Sequence, residues 1–380
     1  MNPSLDDVLR AELARLEAAH LRRTLRPATE GGPNFASNDY LGLATHPALI
    51  EAARRAAAEQ GTGAGASRLV TGTSAQVLAL EASLAAWKEK EAALVFSSGY
   101  AAALGTIPAL VGAGDTVIVD KLAHASLIDA ARLSGATLRV FPHNGLERLG
   151  HQLEKISSGP GRMLIVTESL FSMDGDVAPL RELIDLKERH GAWLLVDEAH
   201  ATGLYGKSGA GLVAEAGLSD RVDIVLGTLS KALGSVGGYI AGSRPLIDWL
   251  VNRARSFVYS TALPPGAIAA SHAAVELAQG KEGAALRAKL RDNVAQFRKK
   301  LPAQWTSRVE GAIQPLLCGE AAHALRVAAA LRERGFLIPA IRYPTVPRNA
   351  ARLRVTLSAT HRAEQIQALA EALQKCSGGL

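Results

Sequence analysis

Apolar and polar positions change rhythm three times along the chain. Near the start they keep a helical period: Leu9, Leu13, Leu16 and Leu21 recur at intervals of three to five, predicting an amphipathic helix over Asp6 to Arg23. A loop is expected over Pro27 to Pro33. A second helix follows over Pro47 to Gln60, opened by proline and closed by Gly61. Gly61 to Gly72 is rich in Gly, Ser and Thr and reads as loop, and Ala75 to Lys90 reads as helix.

From there short apolar runs alternate with helical segments. The runs are Ala93–Phe96, Thr116–Val119, Thr137–Phe141, Met163–Thr167, Trp193–Val196, Ile224–Leu226 and Tyr239–Ala241. Most are continuously apolar, as in strands buried on both faces of a mostly parallel sheet. Thr137–Phe141, with Arg139 inside it, fits least cleanly. Helices are expected at Ser126–Ser134, Leu146–Ile156 and Leu180–His190. The pattern predicts an α/β doubly wound domain, in which ligands collect at the carboxyl ends of the strands. After Pro264-Pro265 the rhythm shifts again. A long helix over Ala267 to Leu301 is interrupted near Gly280–Gly283. Runs at Ala312–Leu317, Leu337–Ile341 and Leu353–Leu357 then alternate with helices at Ala321–Arg334 and Arg362–Lys375. The chain thus divides into an N-terminal helix and arm (1–46), a large domain (47–265) and a smaller α+β domain (266–380).

Composition narrows the class. The chain has 380 residues, 48% hydrophobic and 21% charged, which excludes a disordered chain, a fibre or a coiled coil. The balance of 42 basic and 36 acidic residues, 42 − 36 = +6, permits anionic ligands without announcing nucleic acid. The two cysteines, Cys318 and Cys376, have neither metal-site nor disulfide spacing, so a cytoplasmic location is expected. Met1 to Asp7 lacks the apolar core of a signal peptide. Ala92 to Gly114 carries no charge over 23 residues, but Ser97, Ser98, Gly99, Gly105 and Pro108 break it. A buried strand, a turn and a buried helix fit it better than a membrane span.

Three short motifs fail on context. Ala201 to Ser208 fits a relaxed phosphate loop, and Asp197-Glu198-Ala199-His200 resembles an acidic helicase box. A phosphate loop, however, belongs after the first strand, well upstream of the acidic one. Gly61-Thr-Gly63-Ala-Gly65-Ala66 satisfies the loose dinucleotide fingerprint but follows a helix instead of a strand. The histidines are scattered without ligand spacing, so no metal is expected.

What remains gathers at strand ends. Trp193–Val196 runs into Asp197, with His200 three residues on. Ile224–Leu226 runs into Gly227-Thr228-Leu-Ser230-Lys231. Ala93–Phe96 ends in Ser97-Ser98-Gly99-Tyr100, and the loop after Thr116–Val119 holds His124. Each is ordinary alone: a helix cap, a turn residue, a surface lysine. Together, in sheet order, with 231 − 197 = 34 residues between acid and lysine, they supply what pyridoxal phosphate requires. These are an amine for its aldehyde, a buried carboxylate for its ring nitrogen, and helix-start amides with hydroxyls for its phosphate.

Longer segments carry a family resemblance. They are Ser37-Asn38-Asp39-Tyr40-Leu41-Gly42-Leu43, Gly63-Ala64-Gly65-Ala66-Ser67-Arg68, Glu168-Ser-Leu-Phe-Ser172-Met173-Asp174-Gly175-Asp176, Asp197-Glu-Ala-His200-Ala-Thr-Gly203, Thr228-Leu-Ser-Lys231-Ala-Leu-Gly234 and Arg352-Leu-Arg354-Val355. Over nearly its whole length the chain resembles the α-oxoamine synthase branch of the fold-type I pyridoxal phosphate-dependent enzymes. The resemblance implies an aminotransferase-like transferase fold: a large domain with a mostly parallel seven-stranded sheet, plus the smaller C-terminal domain and N-terminal helical segment. It implies Lys231 as the amine that takes the cofactor aldehyde, Asp197 at the pyridinium nitrogen, His124 on the ring face, and His200 and Ser172 near the phenolic oxygen. Gly99, Tyr100 and Thr228 would hold the phosphate, with Thr261 reaching that of the partner in a homodimer. Arg354 would pair with the substrate carboxylate, and Arg22, Asn38 and Thr345 match substrate-binding positions; Lys231, His124, Asp197 and His200 would be catalytic.

Within the branch, the compact length, Ser98-Gly99-Tyr100 and Pro344-Thr345-Val346-Pro347 favour the biotin-pathway activity. That activity joins L-alanine to a pimeloyl thioester, on coenzyme A or a carrier protein. Val77 departs from the histidine that many members carry there. The alternatives are condensation of glycine with acetyl-CoA and, outside the class, a nucleotide-dependent protein using Ala201–Ser208. Neither nucleic acid nor membrane is an expected partner.

Overall fold

The computed structural model describes residues 3–25, 27, 32–157, 159–301, 305 and 309–377. Of the loop expected over Pro27 to Pro33, residues 28–31 lie outside the described residues. All seven apolar runs of the large domain are strands: β1 Ala92–Phe96, β2 Thr116–Asp120, β3 Thr137–Phe141, β4 Met163–Glu168, β5 Trp193–Asp197, β6 Ile224–Thr228 and β7 Gly238–Gly242. They form one sheet in the order β1-β7-β6-β5-β4-β2-β3. β2 to β6 pair in parallel. β7 is antiparallel to both its neighbours. The link from β6 to β7, residues 229–237, is too short for a crossover, so the chain turns straight back.

The uninterrupted apolar character of the central strands follows from burial on both faces. β3 is one of the two edges of the sheet and, unlike the buried edge strand β1, is mostly exposed, which is why Arg139 is tolerated there. One core layer packs Leu94, Val117, Val119, Leu164, Val166, Leu195, Leu226 and Ile240 against Ala102, Ala103 and Ile107 of the helix Gly99–Leu110. Each buried Leu, Ile or Val contributes about 1.5–3 kcal/mol. The charge-free stretch from Ala92 is accordingly β1, a turn and this helix. No helix among the described residues is long and apolar enough to cross a membrane.

The chain packs as two compact units that differ from the three segments expected from sequence. One comprises Asp39–Ser172 and Asp176–Ala288, and contains the seven-stranded sheet. The other joins the chain up to Asn38 and Met173–Gly175 to everything from Lys289 onward. Its sheet has β8 Ile313–Gly319, β9 Ala340–Ile341 and β10 Ala351–Thr356 in the antiparallel order β8-β10-β9. β9 is shorter than the run from Leu337 suggests, because Pro339 offers no N–H to the ladder. The helix expected to reach Arg23 stops at Ala18, and His20 turns left-handed at φ 55°. Its apolar stripe, Leu9, Leu13 and Leu16, is more than 40% exposed.

A three-residue clasp ties loops on the sheet edge. His143, just past β3, sets Nδ1 3.0 Å from Asp120 Oδ1 at the end of β2, and Nε2 2.7 Å from Asp176 Oδ2. Burial alone would lower the His143 pKa. The hydrogen bonds and charges of the two carboxylates prevail and push it up to about 10. A group whose pKa rises on folding adds stability that is complete below its unfolded pKa near 6.5 and is lost as pH climbs through about 10. The stability difference between wild type and His143→Gln, measured by urea unfolding, is therefore expected to be largest below pH 6.5 and to shrink steadily toward pH 10.

Candidate active site

The carboxyl ends of β2, β4, β5 and β6 lie side by side in the large unit, and each delivers a polar side chain. β5 ends on Asp197, 6% exposed, whose Oδ1 accepts the Ala199 N–H at 2.8 Å. Burial raises its pKa, while the nearby charges of Lys231 and His124 act to lower it. A buried carboxylate in this setting is completed by a cation that it can pair with.

Lys231 follows β6 by three residues, and its Nζ lies 2.8 Å from His200 Nε2. The other ring nitrogen of His200, Nδ1, is 2.6 Å from the hydroxyl of Tyr40, which is wholly buried. His124 caps the helix Ala125–Leu133, with Nδ1 2.8 Å from Ser126 Oγ. Its backbone N–H donates to Glu168 Oε1 at 2.7 Å. Glu168, at the end of β4, is paired in register with Asp197. Burial first, and the Asp197 charge second, push its pKa up to about 8. Both carboxyls of this in-register pair are thus held above the usual carboxylate range by burial.

The helix Gly99–Leu110 starts beside this group. Ser98 caps it, accepting the Ala101 N–H at 3.0 Å. Among the described residues no acceptor is bonded to the amides of Gly99 or Tyr100, so the helix start offers two donors to an anion. A Cβ on Gly99 would meet Thr228 Cβ at 3.6 Å, and one on Gly238 would strike the Gly99 nitrogen at 2.5 Å. Only glycine at 238 lets β7 run so close under the helix start. Thr228 Oγ1 bonds the Gly237 carbonyl and the Ser230 hydroxyl, both at 2.8 Å. The Tyr100 hydroxyl is turned to Asp129 at 2.5 Å, which leaves its backbone amide as the group facing an anion. Ser172 is buried beyond β4 in the hairpin closed by the Leu170–Val177 bridge. Thr261 bridges to Ser67 and lines a cavity of about 180 Å³ with Ser97 and Arg68.

In the smaller unit Arg354 lies on β10, 5% exposed, with Nη1 3.0 Å from Asn38 Oδ1 and 3.1 Å from Thr356 Oγ1. Thr345 is exposed and accepts from Arg23 at 3.2 Å. Arg22 is exposed, 3.5 Å from Glu17.

Two neighbours of the site, Tyr40 and Glu168, have no role in the sequence reading. Both sit inside the segments that carry the family resemblance, but nothing in a linear pattern says that Tyr40 meets His200. The acidic box likewise divides by function. Asp197 faces the site, whereas Glu198 turns the other way to bond Lys88 Nζ at 2.9 Å, an ion pair with both side chains 1% exposed. Lys207 of the phosphate-loop match is exposed.

The donor set fits one cofactor: an amine, a buried acid, a histidine and an anion cradle within one unit. Comparison with known proteins agrees. The family model for aminotransferase class I and II matches residues 32–373, and the chain belongs to this family. The fold is that of the fold-type I pyridoxal phosphate-dependent transferases, and pyridoxal phosphate is the cofactor. The chain is 48% identical to the 8-amino-7-oxononanoate synthase of Anaeromyxobacter dehalogenans, over 97% of this chain and 94% of that protein. It is 50% identical to the 8-amino-7-oxononanoate synthase of Pelobacter propionicus, over 88% and 86%. Among solved structures, serine palmitoyltransferase from S. paucimobilis, with a bound pyridoxal phosphate–myriocin aldimine, superposes with a TM-score of 0.91. It is 28% identical and covers 99% of both chains. The 8-amino-7-oxononanoate synthase of Francisella tularensis superposes at 0.76, also 28% identical, over 91% of this chain and 98% of that one.

Proposed function

We infer that this chain joins L-alanine to a pimeloyl thioester, releasing carbon dioxide and free thiol and forming 8-amino-7-oxononanoate, a step of biotin biosynthesis. The observation that carries this reading is identity of 48% and 50% to two 8-amino-7-oxononanoate synthases over most of each chain. Bound at the strand ends, pyridoxal phosphate supplies an aldehyde that captures amines and a ring that takes up negative charge. The residues do the rest. Lys231 would hold the cofactor aldehyde through Nζ, and the same Nζ, once free, would take the α-proton of alanine. Asp197 would face the ring nitrogen and stabilise a proton there, with Glu168 beside it in register. His124 covers the ring face, its loop anchored by Glu168, and assists protonation near the new carbonyl. His200 and Ser172 serve the phenolic oxygen, and Gly99, Tyr100 and Thr228 hold the phosphate.

Arg354 takes the substrate carboxylate in a bidentate fork, oriented by Asn38 and Thr356. Arg22 and Thr345 are assigned to the same substrate. Lysine keeps the charge but loses the fork. Arg354→Lys is therefore expected to raise KM for alanine by about tenfold to a hundredfold, the loss of one charged hydrogen bond, with a smaller change in kcat. Steady-state kinetics in alanine check this.

The active form is read as a cytoplasmic homodimer, with Thr261 completing the partner's phosphate site. Support comes from Thr261 lining its own cavity and from the exposed Leu69, Val70, Leu78 and Tyr259. The substrate assignment is tested by assaying alanine and glycine, each with pimeloyl-CoA and acetyl-CoA. Alanine with pimeloyl-CoA is expected to be the fast pair. Glycine with acetyl-CoA being fastest would move the chain to a different reaction of the branch. A pimeloyl carrier-protein donor extends the same assay.

A further inference from the structure

Three segments interlock around the catalytic amine. Gly234, at φ 61°, lies so close to the turn at Leu43–Ala44 that a Cβ would meet the Ala44 nitrogen at 2.2 Å. Gly203, at φ 87°, is wedged between Ala232 at 2.9 Å and Leu41 at 3.6 Å. Asp39 fixes the same turn, accepting the N–H groups of Leu43 at 2.8 Å and Ala44 at 3.1 Å. The loops carrying Tyr40, His200 and Lys231 are therefore held in one arrangement. Their side chains line up as Tyr40 Oη, His200 Nδ1, His200 Nε2 and Lys231 Nζ, with separations of 2.6 and 2.8 Å across the two gaps.

A phenol is a better donor than an imidazole N–H, and a 2.6 Å contact is the length of a strong O–H···N bond. With the Tyr40 hydroxyl donating to Nδ1, neutral His200 carries its proton on Nε2. That N–H faces Lys231, and it can be accepted only by an amine with a lone pair. We propose that Tyr40 is a positioning residue that fixes the Nε2–H tautomer of His200 and so holds Lys231 as the neutral, nucleophilic amine. This rests on Lys231 being the amine that captures the cofactor.

The proposal answers a problem that the site creates. Asp197 and Glu168 both interact with the charge of Lys231, and an acid nearby favours the ammonium form. His124 bears on the same charge with the opposite sign. Glu198 is committed to Lys88, and Asp39 to the amides of its turn. The Tyr40–His200 pair makes a contact at Nζ itself that selects the amine. An ammonium cannot capture an aldehyde, so the pair sets the pH range in which the lysine works.

The test follows the capture of pyridoxal phosphate by the apoenzyme, read by the growth of visible absorption in a stopped-flow instrument across a pH series. Tyr40→Phe is expected to shift the midpoint of the rate profile to alkaline pH by about one unit, as for loss of one hydrogen bond, with the plateau rate retained. In a His200→Asn background Tyr40→Phe is expected to add nothing, because the relay is already cut. Tyr40→3-fluorotyrosine keeps the shape, strengthens the donor and is expected to shift the midpoint the other way; it serves if the phenylalanine variant does not fold. An unmoved midpoint in the fluorinated protein, or an alkaline shift that persists without His200, overturns the proposal. If the wild-type apoenzyme itself captures no cofactor, the assignment of Lys231 fails and the proposal falls with it.

Discussion

Lys231→Ala is expected to lose turnover by on the order of 10⁴-fold or more, because in the proposed mechanism the same amine both carries the cofactor and moves the α-proton. Fold and stability are expected to persist. Lys231 is only half-buried, and its removal leaves His200 still bonded to Tyr40. Alanine at 231 also has nothing to fix, so borohydride treatment leaves no cofactor covalently on the chain. Turnover near that of wild type would remove Lys231 from the mechanism. A loss of turnover accompanied by unfolding would be read from circular dichroism before any catalytic conclusion.

Asp197→Asn is expected to be the next most damaging change. The amide is nearly the same shape and can still accept the Ala199 N–H that Asp197 accepts at 2.8 Å. It carries no charge, so a protonated ring nitrogen in this buried place loses its partner. Breaking a buried ion pair costs about 3–5 kcal/mol, or about 10²- to 10⁴-fold in rate at 1.4 kcal/mol per decade. The pair with Glu168 adds a second consequence. With the Asp197 charge gone, one cause of the raised Glu168 pKa disappears, and that carboxyl is expected to titrate lower in the variant. Isotope-edited infrared spectroscopy of the glutamate carbonyl follows this directly. A kcat within a few-fold of wild type would contradict the role given to Asp197.

Most strands of the large sheet were legible because burial on both faces leaves a continuous apolar run, and even Arg139 was informative once β3 proved to be an exposed edge. The residues at strand ends were legible for a related reason: a polar group directly after such a run is delivered to the ligand-binding edge. Long-range partners were not. Tyr40 and His200 stand 160 positions apart, in loops that pack closely at Gly203 and Gly234. Glu168 closes a strand just as Asp197 does, but its raised pKa depends on burial and on which carboxylate lies beside it, and both are matters of strand order. The extent of the first helix was misjudged because Leu21 continues the spacing of Leu16, while the left-handed turn at His20 ends the helix first. Unit boundaries escaped as well. Met173–Gly175 groups with the C-terminal unit although both flanks belong to the other, which no local pattern discloses.

One measurement bears on all of this most directly: the holoenzyme is reduced with borohydride, digested, and the modified peptide sequenced by mass spectrometry. The account predicts that the near-ultraviolet to visible absorption of the pure protein collapses on reduction and that the added pyridoxyl mass sits on Lys231. A colourless protein, or the same mass on Lys88, Lys207 or any other lysine, would contradict it.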